Sequence, residues 1–168
     1  DLIVRAVDVG SGNTKFVTSV VSSPSGADIR CVSFPSVAYP SSDGLPSWPS
    51  GDRRKTTFIP IGALFYEVGP EVALAADTFR AKQLHDEYTE SPEYMALLRG
   101  ALGMMKLSHI DLLVVGLPVA LFAVKKAALE KAMTGKHDVG DGKTVTVAKA
   151  LAVAQPQGGP RRELHERA

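Results

Sequence analysis

Short β-branched runs broken by glycine and proline fill the early part of the chain, and stretches of helical period follow. Leu2 to Val9 reads as a strand closed by the turn Gly10-Ser11-Gly12-Asn13. Phe16 to Val21 is again β-branched with no helical period, so the turn joins two strands of a hairpin rather than opening a helix. Ala27 to Tyr39 reads as a third strand, ended by Pro35 and Pro40, whose rings remove ladder donors. Phe58 to Ile61 and Leu64 to Val68 form a second hairpin, and Glu71 to Ala76 is a short helical candidate. Ser91 caps a helix that starts at Pro92 and carries Tyr94, Met95, Leu97, Leu98, Ala101, Leu102 and Met105 at three-to-four spacing. Ile110 to Gly116 is a continuous apolar run, as expected of a strand buried on both faces. Val119 to Thr134 predicts a second helix with Phe122, Leu129 and Met133 inward, Lys125 and Lys126 outward, and Gly135 as its stop. Asp141-Gly142 turns into a last strand over Thr144 to Val153. This order predicts an α/β fold: a mixed sheet with an antiparallel three-strand meander and crossover helices. A small β insertion at about residues 40–90 lies within a domain spanning 1–160, and 161–168 is a charged tail.

Composition narrows this little but excludes several classes. With 168 residues, 45% apolar and 22% charged, the chain is one domain or one lobe of something larger. A net charge of +1 gives no global field for nucleic acid or anionic membrane. No apolar run has the length to span a bilayer, and the start has no basic region or cleavage site of a secretion signal. The sequence begins at Asp1 rather than at a Met, and a start further upstream is an expectation from that. The lone Cys31, flanked by Ile29, Val32 and Phe34, is expected to be a buried thiol in a reducing, cytoplasmic compartment.

Chemistry concentrates in Asp8-Val9-Gly10-Ser11-Gly12-Asn13-Thr14-Lys15. The glycines allow main-chain amides to approach an anion, and Ser11, Asn13 and Thr14 add donors. Lys15 supplies a point charge for phosphate, while Asp8 at the strand end suits a hydrated Mg²⁺. The same residues also make an ordinary hairpin turn, and both readings stand. The dinucleotide fingerprint would need glycine at Lys15, and the P-loop spacing is absent. His85, His109, His137 and His165 lack metal-ligand spacing, Ser11 sits in no nucleophile elbow, and Asp111 fits a strand cap. Arg53-Arg54-Lys55 reads as a solvated tip.

The motif from Asp8 to Lys15, followed by Val115-Gly116-Leu117-Pro118 and then Pro156-Gln157-x-Gly159, resembles the N-terminal lobe of actin-like ATPases, nearest the plasmid-segregation ParM/StbA group. The resemblance implies a ribonuclease H-like lobe that binds ATP with Mg²⁺, assembles into filaments and partitions plasmid DNA through a DNA-binding adaptor. It implies no direct nucleic-acid contact and no membrane. Gly10, Ser11, Gly12, Asn13 and Thr14 would form the first phosphate loop, with Lys15 on the β-phosphate and Asp8 ordering the water shell of the metal. Gln157 would orient the attacking water, with Gln155 as the neighbouring candidate, acting by position rather than as a base. The family's second lobe, with its Asp-x-Gly-Gly loop and adenosine motif, is expected to be missing, which makes the lobe a weak binder, inactive alone. An inactive interaction or scaffold module, and a lobe of a kinase of the same superfamily, are the competing readings.

Overall fold

The computed structural model describes residues 2–44, 55–72 and 88–155. Its centre is a five-stranded sheet built from β1 (Val4–Val9), β2 (Asn13–Ser23), β3 (Gly26–Pro35), β8 (Leu112–Leu117) and β11 (Ala150–Ala154), in the order β11-β8-β1-β2-β3. The meander β1-β2-β3 is antiparallel, whereas β8 and β11 run parallel to β1. Parallel neighbours need long crossovers, and two helices supply them: α1 (Pro92–Met104) precedes β8 and α2 (Val119–Met133) follows it. The mixed sheet with meander and crossovers agrees with the sequence pattern.

Strand alternation sends Val7, Val9, Phe16, Phe34, Leu113, Val115, Ala150 and Ala152 to one face, where they meet Tyr94, Leu97, Leu98, Ala101 and Leu102 of α1 and Leu129 and Met133 of α2. Phe16 and Phe34 sit edge to face, 6.0 Å between centroids. Ser91 caps α1 as its spacing predicts, its hydroxyl accepting the Tyr94 amide at 3.2 Å. The opposite face of the sheet exposes Val4, Ile29 and Val153, and Cys31 lies on it. The expected buried thiol is therefore exposed: alternation puts Cys31 opposite Val17 and away from the helices.

Four boundaries differ from the sequence reading. The strand expected over 27–39 ends at Pro35, and Tyr39 belongs to β4 (Tyr39–Ser41), which joins β6 (Leu64–Val68) and β5 (Thr57–Ile61) in a separate three-stranded sheet. The apolar run at 110–116 is divided at Asp111: β7 (His109–Ile110) pairs with β10 (Thr144–Val147), and β8 begins one residue later. Asp111 holds that switch, accepting the Ile3 amide at 2.7 Å and facing His109 Nε2 at 3.0 Å. The strand expected over 144–153 is two strands, because Ala148 and Lys149 step from the small sheet to the large one, bonding Ile110 and Leu113 in turn. A strand absent from the sequence reading, β9 (Gly135–Asp138), pairs with β10 through a turn whose Asp141 and Gly142 both have positive φ, as that hairpin geometry requires. Lys125 and Lys126 do not simply face solvent: Lys125 pairs with Glu90, and Lys126 with Glu130 and the Ala152 carbonyl. Most of the helical candidate at 71–76 lies outside the described residues, as do Arg53, Arg54, His85, His165 and the tail.

Candidate functional site

The carboxyl ends of the parallel strands converge beside the glycine turn. Asp8, the penultimate residue of β1, is flanked by Lys15 of β2 on one side and Gly116 of β8 on the other. Gln155, just beyond β11, is anchored by its amide N–H to the Leu117 carbonyl at 2.6 Å and donates its side-chain amide to Asp8 Oδ1. The same Nε2 lies 3.4 Å from the Gly116 carbonyl oxygen. Gly116 leaves room for this contact, since a Cβ there would stand 2.9 Å from both Asp8 Oδ1 and Gln155 Cγ. An apolar strand interrupted by one glycine marks a close approach of this kind, and that signal was present in the sequence.

The turn itself is tight: the Gly10 amide donates to the Asn13 carbonyl at 2.9 Å, and a Cβ on Gly10 would meet that oxygen at 3.0 Å. Ser11, Gly12 and Asn13 are exposed, and a Cβ on Gly12 would point into open space. Thr14 is separated from this group: it is fully buried on the helix-covered face, its hydroxyl 2.9 Å from that of Ser36. Asp8, Lys15, Gly116 and Gln155 line one side of a shallow pocket of about 270 Å³ on the open face, with Val17, Cys31, Val114 and Val153 as its apolar floor. Gln157 lies outside the described residues, so the neighbouring Gln155 is the glutamine seen at the strand ends.

These residues fit an anionic ligand with a hydrated cation. The exposed residues Ser11 to Asn13, with the Ser11 hydroxyl, and the Lys15 ammonium offer donors, the Gly10 amide being taken by the Asn13 carbonyl; one Asp8 oxygen is engaged by Gln155, which leaves the other to accept from metal-bound water. No group of three or more His, Cys, Asp or Glu side chains able to hold a metal directly occurs among the described residues. Among them also, no helix is long and apolar enough to cross a membrane.

Residues 6–158 match the family model described as the actin like proteins N terminal domain. No curated protein matches the sequence. Among solved structures, the apo ParM protein of psk41 superposes with a TM-score of 0.66 at 16% identity, over 92% of this chain and 50% of that one. AlfA from the B. subtilis plasmid pLS32, solved as a filament, gives 0.54 at 17% identity over 90% and 55%. A Bacillus thuringiensis ParM hybrid protein with ADP gives 0.50 at 11% identity over 92% and 21%. The chain thus spans about half the length of the first two. With that family model covering residues 6–158, the chain belongs to the actin-like protein family as an N-terminal domain.

Proposed function

We propose that this domain is the phosphate-binding half of a cytoplasmic ATPase of the ParM kind, which binds ATP with Mg²⁺, assembles into filaments and segregates plasmid DNA through a DNA-binding adaptor. The observation that carries this reading is the meeting of Asp8, Gly116 and Gln155 at the carboxyl ends of three adjacent parallel strands, next to the exposed glycine turn and Lys15. In α/β sheets that end of the strands is where ligands bind. The turn amides and Lys15 bind phosphate oxygens, Asp8 holds the water shell of the cation, and the cation when bound neutralises phosphate charge. Gln155 or Gln157 positions a water without taking its proton, which suits phosphoryl transfer, a reaction that depends on alignment and charge stabilisation. The filament of AlfA and the ADP bound to the ParM hybrid are in keeping with assembly and nucleotide binding here.

Titration calorimetry of the chain with ATP and Mg²⁺ tests the binding step. Weak binding is expected, and Lys15→Ala removes a charge-assisted contact of about 1.5–3 kcal/mol, which weakens it roughly ten- to hundredfold. In a two-lobed protein carrying this domain, Asp8→Ala and Lys15→Ala are expected to abolish ATP turnover. Unchanged turnover in both variants refutes the reading. The wide exposure of Ser11, Gly12 and Asn13 favours a second reading, an actin-like scaffold module without turnover, and the absence of any ATP binding by the chain would select it.

A further inference from the structure

The two edges of the central sheet are treated differently. On β11, α2 and its C-cap residue Thr134 place three side chains against the outward main-chain groups. Glu130 Oε2 accepts the Ala152 amide at 2.9 Å, Lys126 Nζ donates to the Ala152 carbonyl at 2.9 Å, and Thr134 Oγ1 accepts the Ala150 amide at 3.2 Å. Lys126 and Glu130, four apart on α2, and the C-cap Thr134 thus occupy the positions a further strand would take, which closes that edge. At the other edge, β3 has no strand partner on its outer side among the described residues. It is ten residues long and exposed from Gly26 to Ser33. It contains no lysine, its proline stands at its last position, and its bulge-forming partner Thr18 lies in β2, so β3 itself stays regular.

We propose that the free edge of β3 pairs antiparallel, about a two-fold axis at Ile29, with the β3 of a second copy of this chain. The Arg30 carbonyl accepts from Thr18 Oγ1 of β2, so the main-chain groups of Ala27, Ile29 and Cys31 point outward. A two-fold at Ile29 sets Ile29 opposite Ile29 and Ala27 opposite Cys31, which matches outward groups with outward groups. It also sets Asp28 of each copy directly opposite Arg30 of the other. Centring the axis one residue either way opposes Asp28 to Asp28 or Arg30 to Arg30, so charge selects the register. Within one copy these two side chains are only loosely paired, 3.9 Å apart and each about 70% exposed, and are available to cross the interface. Ile29, 55% exposed, gains an apolar neighbour on the other face. The pairing needs no nucleotide and stands apart from the phosphate-binding reading.

The test is the mass of the 168-residue chain in solution without nucleotide, by sedimentation equilibrium. A concentration-dependent dimer is expected. Asp28→Lys and Arg30→Asp each weaken it at least tenfold, while the double swap Asp28→Lys with Arg30→Asp restores it. Because Cys31 is the sole cysteine, a nitroxide placed on it reports the register in the wild type. The four-residue stagger sets the two Cα atoms about 14 Å apart, and labels within roughly 1–2.5 nm are expected. A monomer at hundreds of micromolar, a dimer indifferent to the charge swaps, or labels beyond 3 nm would each overturn the proposal, whatever the calorimetry with ATP shows.

Discussion

Gly116 is the residue on which the strand ends depend. Glycine inside an apolar strand gives up packing and conformational entropy, and here it makes space for the Asp8–Gln155 contact. Gly116→Ala forces one of those side chains aside and is expected to destabilise the domain by about 1–3 kcal/mol in urea titrations. Adding Gln155→Ala should recover part of the loss, because the second clash is removed. His137 is the other residue whose surroundings matter. It is 2% exposed, donates Nε2–H to the Met133 carbonyl at 2.7 Å, and has a buried Nδ1 without a partner. Burial first, and the Arg99 charge with it, hold its pKa below the usual histidine value, so the folded state keeps it neutral. An unfolded histidine titrates near ~6.5, so stability is full above that pH and declines below it, as the unfolded chain takes up a proton that the fold refuses. Melting temperatures between pH 8 and pH 5 should fall, and His137→Gln should flatten that dependence. The neighbourhood of Asp8 and Lys15 was legible from their turn, and they stand opposite each other on β1 and β2, but Thr14 was not separable from them, because only burial shows it turned toward Ser36.

Among the elements, α1 was legible in full because its signals are local. Ser91, Pro92 and the apolar spacing specify start and inward face together, and Ser91→Ala should cost about 1 kcal/mol by removing the cap on the Tyr94 amide. The strands were legible as extended segments but not as members of particular sheets. Alternation in 144–153 is continuous, yet β10 and β11 serve two sheets, and only their long-range partners tell them apart. The lysines of α2 show the same limit: helical period places them off the core, while the reach of Lys126 to the Ala152 carbonyl depends on where β11 lies. Glu130→Leu strips an acceptor from the edge strand and should lower the melting temperature, a loss that Glu130→Gln largely avoids by keeping an acceptor oxygen.

At the scale of the molecule, the central sheet buries one face under both helices and leaves the other exposed among the described residues. Parallel strands are usually covered on both faces, and the run Leu-Leu-Val-Val-Gly-Leu of β8 reads that way. Here Cys31, Val4, Ile29 and Val153 reach solvent on the open face. The expected consequence is that one thiol per folded chain reacts with a thiol reagent at the rate of an exposed cysteine, and that denaturant accelerates the reaction little.

The sequence by itself determined the fold class, the hairpin that carries the glycine turn, the cap of α1 and which residue types gather beside that turn. Each of these depends on interactions over a few residues: alternation, helical period, capping and turn chemistry. Only the tertiary structure decided that Gln155 meets Asp8 across Gly116, that Asp111 divides one apolar run between two sheets, and that α2 closes one sheet edge while β3 stays open among the described residues. These depend on register and crossover between segments far apart in the chain, where many pairings share the same local pattern and packing selects one.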